Sequence, residues 1–327
     1  MYVPETYGSA LLLMLTSMVC WGSWPNFLKK LPQWRLEYFY FDFTLGLLFA
    51  AVTYGTTLGA DESGASGFIA GLLQAGPREA LLAVVGGLIW NIGNILLLNG
   101  IMLVGLAVAF PIAAIPAIVL GIGASYWLNP VGNPLALVTS AVLLLIAAQT
   151  TAAAYRRVGS IVTGRRSKGI AVALISGLLI GFFPPFVTAA LGGTAGLDAY
   201  AVTAFFTIGA FLATLVSLPV LIKKPLVGDA GNLTGYFAGT IGQHLLGLLA
   251  GAVWCTGTVF NFISASLVGV AISVGIGSGA PMVGALWGVL AWGEFANGQR
   301  SSKVLIAAAL VLYAVGVATM AIAYTLQ

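Results

Sequence analysis

Hydrogen-bonding side chains interrupt an apolar stretch of the chain beside a tryptophan. Asn91 and Asn94 are three residues apart and follow Trp90, so on a helix both amides lie on one face. A second apolar stretch carries the same combination of an indole and hydrogen-bonding side chains: Trp254, Thr258 and Asn261. An aromatic face for stacking, with amides that bond to polar edges, suits a small planar polar ligand. These residues are therefore candidates for a binding site.

The same residues also have a purely structural interpretation. Polar side chains inside membrane helices bond to neighbouring helices, and each such bond contributes on the order of 0.6–2 kcal/mol. The binding interpretation is favoured because two separate stretches place a tryptophan and hydrogen-bonding groups at the same depth.

Another candidate region reads C-W-G-S-W-P-N-F-L-K-K-L at residues 20–31. Pro25 removes a backbone donor inside an apolar helix, which predicts a kink and leaves the carbonyl group of Trp21 free. We expect Trp21 to line a cavity. Trp24 lies closer to the helix end, where it has either that role or the role of an interfacial anchor.

Among the acidic residues, Asp42 is the one that falls inside an apolar segment. A carboxylate in such a position is a candidate for a proton relay. The alternative is a salt bridge to Lys29, Lys30 or Arg35 that ties the first two helices together. His244, the single histidine, is interpreted as an interfacial residue rather than a switch.

Composition indicates which elements position these residues. The chain of 327 residues is 60% hydrophobic and 7% charged, whereas a soluble domain carries about 25% charged residues. Since about 20 apolar residues cross a bilayer, we predict an all-α polytopic membrane protein with ten transmembrane helices. The predicted spans are residues 7–28, 38–58, 79–102, 106–128, 134–154, 169–190, 199–222, 238–262, 266–290 and 304–323. The glycine-rich stretch 61–76 is predicted as a loop with room for a short interfacial helix.

The distribution of basic residues predicts the orientation in the membrane. Twelve of the 13 follow odd-numbered spans: Lys29, Lys30, Arg35, Arg156, Arg157, Arg165, Arg166, Lys168, Lys223, Lys224, Arg300 and Lys303. Arg78 alone lies on the other side. We therefore expect a multi-pass protein of the cell inner (plasma) membrane, with cytoplasmic odd-numbered loops and both termini on the extracytoplasmic side. We expect no cleavable signal peptide. Because the basic residues occupy short loops, the net charge of +4 does not indicate nucleic-acid binding.

The two halves of the chain resemble each other at a nearly constant offset. The aligned segments are residues 90–94 with 254–258 and 103–107 with 267–271 (offset 164), 43–46 with 206–209 (offset 163), and Pro25 with Pro185 (offset 160). Pro184 and Pro185 therefore predict a hinge that matches the one at Pro25.

From this repeat we predict two units of five helices, residues 1–155 and 169–327, joined by a basic cytoplasmic linker at 156–168. An odd number of spans inverts the second unit in the membrane. Inverted repeats are typical of secondary transporters, with a site near the midplane and helices that bend during alternating access.

Other kinds of chemistry find little support in the sequence. The G-x-x-x-x-G-K-[ST] motif of a phosphate-binding loop does not occur. One histidine and two cysteines inside apolar segments cannot assemble a metal site, and no second residue pairs with Asp42 at matching depth for catalysis. We therefore expect neither an enzyme nor a bound cofactor.

Five segments carry a family resemblance: W-G-S-W-P-N (21–26), F-D-F-T-L-G (41–46), W-N-I-G-N-I-L-L (90–97), V-A-F-P-I (108–112) and W-G-E (292–294). They resemble the drug/metabolite transporter superfamily, within it most closely the ureide permease branch and its bacterial relatives, with glucose/rhamnose-type sugar porters next. The resemblance implies two inverted five-helix repeats and alternating access. Plant ureide permeases are associated with proton-coupled uptake of allantoin and of heterocycles such as uracil. Their long central loop with a phosphate-loop-like motif has no counterpart here.

Together, the residues and the resemblance predict a secondary transporter that imports a small, neutral, polar nitrogenous solute, with protons as the coupling ion. The predicted solute-binding residues are Trp21, Trp24, Trp90, Asn91, Asn94, Trp254, Thr258 and Asn261. Asp42 is the candidate for proton coupling. A monosaccharide porter and a multidrug exporter are the alternatives among transporters. From a different class, the alternative is a membrane scaffold or sensor.

Overall fold

The computed structural model describes residues 1–31, 33–60, 64–158, 166–192 and 196–326. Within these residues the chain forms fourteen helices. They are α1 (Tyr7–Ser23), α2 (Pro25–Lys29), α3 (Leu36–Thr56), α4 (Ala65–Gln74), α5 (Pro77–Val104), α6 (Leu106–Leu128), α7 (Pro134–Val158), α8 (Arg166–Leu191), α9 (Ala199–Lys223), α10 (Thr234–Phe237), α11 (Ile241–Val268), α12 (Val270–Gly277), α13 (Ala280–Leu290) and α14 (Arg300–Thr325).

Ten helical segments of the described residues are long and apolar enough to cross a membrane, which confirms the predicted number. The first span joins α1 and α2 over Tyr7–Lys29, and the ninth joins α12 and α13 over Val270–Leu290. Helix α4 lies in the glycine-rich stretch 61–76, which the sequence predicts as a loop with room for a short helix. Residues 61–63 of this stretch lie outside the described residues. Residues 159–165 of the predicted linker also lie outside them.

The boundary between the eighth and ninth spans differs from the prediction. Helix α11 continues to Val268 instead of ending at residue 262, and α12 begins only at Val270. The break is set by Gly269, whose φ of +78° is readily reached only by glycine, and Gly105 ends α5 in the same way at φ +79°. Apolar residues continue across Gly269, so hydropathy alone places the break wrongly.

Pro25 interrupts the first span, as its position predicts. Helix α1 ends at Ser23, and Pro25 is the first residue of α2. Because proline has no N–H group, the carbonyl of Trp21 lacks its usual intrahelical donor. Pro184 and Pro185 lie within α8, which continues past them. The hinge role of all three prolines stays a prediction.

Glycines bring two pairs of helices into backbone contact, α3 with α11 and α5 with α9. A Cβ atom added at any of four glycines would lie 1.8–2.1 Å from a carbonyl oxygen of the partner helix: Gly46, Gly87, Gly209 and Gly251. Small residues at such positions let membrane helices pack closely. The side chains buried around these contacts include Phe43, Phe206 and Trp254.

The principal packing partners of several helices lie in the other half of the chain. Helix α1 packs on α11 and α13, α5 packs on α8 and α9, and α6 packs on α8. The last spans of the two halves, α7 and α14, also pack on each other. Residues far apart in the sequence therefore meet in the middle of the bundle.

Candidate functional site

A cavity of about 200 Å³ lies between helices of both halves. Its walls combine aromatic and aliphatic side chains, and the aromatic ones are Trp21, Trp90, Phe110, Phe183, Trp254 and Tyr313, with Pro184 beside them. Among the described residues, none that lines the cavity carries a charge. Because a buried charge needs a counter-charge, this lining suits an uncharged ligand.

Three of the predicted tryptophans form one stack at the cavity. The ring centroids of Trp90 and Trp254 are 3.9 Å apart with an interplanar angle of 30°. Those of Trp21 and Trp254 are 5.8 Å apart at 19°. Phe206 lies nearly parallel to Trp254 at 6.2 Å. The stack offers flat aromatic surface against which a planar molecule can pack.

Thr258 positions the stack from behind instead of lining the cavity. The indole N–H of Trp21 donates to Oγ1 of Thr258 at 3.2 Å, and the Thr258 hydroxyl donates to the carbonyl of Trp254 at 3.2 Å. Trp24 also lies outside the cavity walls, buried with its ring centroid 4.6 Å from that of Phe43.

The two amides of α5 are engaged by neighbouring helices. Asn91 is fully buried, accepts a hydrogen bond from the Tyr40 hydroxyl at 2.7 Å, and donates to the carbonyl of Ala210 and to Oγ1 of Thr214, both at 2.8 Å. Asn94 donates to the Tyr40 hydroxyl at 3.0 Å and is 7% exposed. Asn91 therefore joins α5 to α3 and α9.

Asn261 is also fully buried, next to Gly277 in the cavity wall. Its amide nitrogen donates to the carbonyl of Ser273 at 2.8 Å and to Oγ of Ser17 at 3.4 Å. Its amide oxygen is enclosed, with no hydrogen-bond partner among the described residues. The structure thus brings the three tryptophans to the cavity and places the predicted amides outside its lining. Binding by any of these residues stays a prediction.

Sequence reasoning missed the residues that the fourth, fifth, ninth and tenth spans contribute to the cavity. Tyr313 of α14 is flanked by apolar residues, so its sequence context gives no signal. Phe110 of α6 lies in the V-A-F-P-I segment, which marked the resemblance without indicating a role.

Asp42 forms a buried polar cluster with residues near the start of the eighth span. Its side chain, 2% exposed, accepts a hydrogen bond from the Tyr236 hydroxyl and lies 2.8 Å from Nδ1 of His244. Burial, and then the hydrogen bond to Asp42, raise the pKa of Tyr236, so its hydroxyl remains a donor at neutral pH. Gly247 permits this approach, because a Cβ atom there would lie 2.5 Å from that of Asp42.

The predicted salt bridge from Asp42 to Lys29, Lys30 or Arg35 is wrong. Lys29 pairs instead with Glu294, and Arg35 pairs with Glu37 at 3.2 Å. Asp42 faces α11 rather than the loop after the first span, so its ionisable partner is His244.

The W-G-S-W-P-N and W-G-E segments meet at one end of the bundle. Four side-chain contacts join this region, and we call them the end bridge: Trp287 to Ser23 at 2.9 Å, Trp292 to Asn26 at 2.6 Å, Lys29 to Glu294, and Tyr155 to Glu294 at 2.6 Å. The ammonium group of Lys29 also lies 5.2 Å from the ring centroid of Trp292. The end bridge therefore fastens the end of the first span to the ninth span and to α7.

Ten apolar spans around an uncharged, tryptophan-lined cavity are features of a multi-pass membrane transporter. The sequence model of the ureide permease family matches residues 39–160 and 156–323. The chain belongs to this family, whose members are transporters and not enzymes.

Some relatives match over nearly the full length of the chain and others over part of it. It is 24% identical to Ureide permease 1 of Arabidopsis thaliana over 388 aligned residues, which cover 98% of each protein. A probable ureide permease A3 of Vigna unguiculata is 29% identical over 133 residues, covering 39% of this chain. A crystal structure that is 18% identical, with a TM-score of 0.64 over 98% of this chain and 99% of its own, has the same fold.

Proposed function

We propose that this chain is a secondary active transporter that imports a small, neutral, planar nitrogenous solute, such as a ureide (allantoin) or a nucleobase (uracil). The observation that carries the proposal is the uncharged cavity lined by Trp21, Trp90 and Trp254. Indoles stack on the faces of a flat ring. A volume of about 200 Å³ is smaller than the pockets that hold drug-sized ligands, so one small heterocycle is the best match. The names of the plant relatives support the same class of solute.

Few groups are available to bond to the edges of the solute. Of the three indole N–H groups, that of Trp21 is the one that donates within the described chain. The N–H groups of Trp90 and Trp254 are therefore our candidate donors. Asn94 uses its amide nitrogen on Tyr40 and lies outside the cavity lining, so we assign it no bond to the solute. In this proposal Thr258 and the buried amides of Asn91, Asn94 and Asn261 support the walls.

Alternating access between two inverted repeats is supported by how the halves pack. When the halves are exchanged, the contact of α3 with α11 corresponds to that of α9 with α5, and the contact of α1 with α11 to that of α8 with α5. The glycines of close approach also correspond, Gly46 with Gly209 and Gly87 with Gly251. We assign the end bridge to a gate that closes one end of the cavity, with Pro25 as its hinge and the Pro184-Pro185 pair as the hinge at the other end.

Coupling to protons is assigned to Asp42 and His244. Their side chains are 2.8 Å apart, and they join the second span to the eighth. The pair can hold one exchangeable proton inside an apolar bundle, where an unpaired carboxylate is costly. A change in its protonation would therefore alter the contact between α3 and α11. The excess of basic residues in the odd-numbered loops supports a plasma membrane orientation with both termini outside.

Uptake by purified protein in liposomes tests the substrate proposal. Allantoin, uracil, hypoxanthine, glucose and ribose are each offered with and without an inward proton gradient. We expect uptake of one or more nitrogenous rings, increased by the gradient, and none of the sugars. Uptake of sugars alone would contradict the proposal and favour the monosaccharide porter. Trp127 is 83% exposed and lies outside the cavity, so Trp127→Phe is expected to take up the same solutes as the wild type.

The coupling assignment predicts that Asp42→Asn loses the stimulation by a proton gradient but keeps exchange of labelled for unlabelled solute. The amide keeps the size and hydrogen-bonding capacity of the side chain but cannot carry the proton. Glu5→Gln, at an exposed carboxylate outside the predicted spans, serves as the control. Stimulation that survives in Asp42→Asn would remove Asp42 from the coupling mechanism.

A further inference from the structure

Tyr313 is the residue of the tenth span that borders the central cavity. Its side chain is 1% exposed, and its hydroxyl group is enclosed without a hydrogen-bond partner among the described residues. Buried hydroxyl groups in proteins are nearly always hydrogen-bonded, because an unsatisfied one destabilises the fold. An unpartnered hydroxyl at the edge of a binding cavity therefore points to a missing ligand group.

The polar groups around Tyr313 do not satisfy it. Thr151 of α7 is a neighbour, but its hydroxyl donates to the carbonyl of Ala147 at 2.9 Å and does not meet the geometry of a hydrogen bond with the tyrosine. Ser278 in the cavity wall donates to the carbonyl of Val274 at 2.9 Å. The nearby cavity residues of α6 and α7 offer only apolar side chains: Ala113, Ala114, Ala117 and Ala148.

The free polar groups at the cavity are mainly donors. Indole nitrogen atoms donate and cannot accept, and the tyrosine hydroxyl is the additional group on the side of α14. A lining of this kind favours a solute with hydrogen-bond acceptors at the edge of its ring. The in-plane acceptors of a small neutral heterocycle are carbonyl oxygens and pyridine-type ring nitrogens, which remain available while its faces stack on the tryptophans.

We propose that Tyr313 determines specificity in this transporter by donating a hydrogen bond to a carbonyl oxygen of the bound solute. The inference rests on the proposed transport of a planar nitrogenous solute and narrows it. Rings that bear carbonyl groups, such as uracil and hydantoin, are preferred over rings of similar size that have no in-plane acceptor, such as pyrrole and benzene.

Competition against uptake of labelled uracil in liposomes tests this, with all four rings as competitors. In Tyr313→Phe we expect uracil and hydantoin to bind about 3- to 10-fold more weakly, as for loss of one neutral hydrogen bond. Pyrrole and benzene, which cannot accept an in-plane hydrogen bond, are expected to compete as they do in the wild type. The melting temperature is expected to be unchanged or raised, because the unsatisfied hydroxyl is gone. Tyr324→Phe is the control, on the same helix but stacked on Tyr7 at 5.0 Å.

Three results would overturn the inference: unchanged affinity for uracil in Tyr313→Phe, equal weakening of the carbonyl-free rings, or a lowered melting temperature reproduced by Thr151→Val. The last would indicate a structural bond between the two hydroxyl groups. If the wild-type protein binds none of the four rings, the proposed function fails as well. Normal binding by the wild type with no effect of Tyr313→Phe would contradict only the role of Tyr313.

Discussion

At the residue scale, the tryptophan stack depends on polar side chains that do not touch the cavity. Thr258 holds the indole of Trp21 and the backbone of Trp254, while Asn91 fixes the helix that carries Trp90. Inside a membrane an unsatisfied polar group costs several kcal/mol. These side chains therefore form their hydrogen bonds within the protein, and the cavity lining consists of indole surface with few free donors.

Thr258→Val tests this supporting role. Valine has the shape of threonine without the hydroxyl, so the indole of Trp21 loses its acceptor and its fixed orientation. We expect the KM for the transported solute to rise about 2- to 10-fold, as for one hydrogen bond, in the liposome uptake assay. Thr256→Val is the matched control, because Thr256 lies on the same helix and bonds to Tyr54 at 3.0 Å. Equal effects of the two substitutions would contradict the assignment.

At the scale of elements, close helix contact through glycine fixes the frame of the site. In Gly87→Ala the added Cβ would lie 1.8 Å from the carbonyl oxygen of Phe206, so α5 and α9 must separate. We expect a loss of about 1–3 kcal/mol or more in stability, seen as a lower melting temperature of the solubilised protein. Gly123→Ala, with nothing within 4 Å of the new atom, is expected to keep or slightly raise it. Similar melting temperatures for both variants would refute the close contact.

The end bridge has a separate expected effect. The side chains of Lys29 and Glu294 are 46% and 26% exposed, so their ion pair contributes only about 0–1 kcal/mol to stability. Glu294→Gln is therefore expected to leave the melting temperature nearly unchanged while it shifts the population away from the bridged conformation. Spin labels at the exposed positions 30 and 290 should report an added longer distance. Lys303→Met is the control, since its ammonium donates to the carbonyl of Ala296 outside the bridge. An unchanged distance distribution in Glu294→Gln would contradict the gate.

Much of the helix content could be predicted from hydropathy, because a bilayer demands long apolar segments. The breaks that depend on a single backbone angle could not: Gly269 ends α11 inside an apolar run, and its φ is not encoded in composition. The tryptophans could be singled out because their type and spacing are visible in the sequence. The partner of Asp42 could not, since His244 reaches it through the packing of α3 on α11. Tyr313 gave no signal because nothing beside it in the sequence is polar enough to mark a site.

At the scale of the whole molecule, the cavity lies where helices of both halves meet, so neither half could form it alone. Ionisable groups are distributed unevenly around it: the Asp42–His244 pair joins α3 to α11, whereas the corresponding positions on α9 and α5 are Phe205 and Ala80. We therefore assign proton coupling to one of the two corresponding helix contacts and not to the other. The proposed transporter thus has corresponding helix contacts in its two halves but an Asp–His pair at one of these contacts only.

In the proposed transporter the solute binds in the tryptophan-lined cavity. Equilibrium binding of labelled uracil or allantoin to purified protein tests this placement most directly, with Trp90→Phe and Trp90→Leu compared against Trp127→Leu. We expect about 10-fold weaker binding or more for Trp90→Leu, a smaller loss for Trp90→Phe, and wild-type affinity for Trp127→Leu, because base-sized rings gain about 1–3 kcal/mol from one aromatic stack. Wild-type affinity in folded Trp90→Leu protein would contradict this placement.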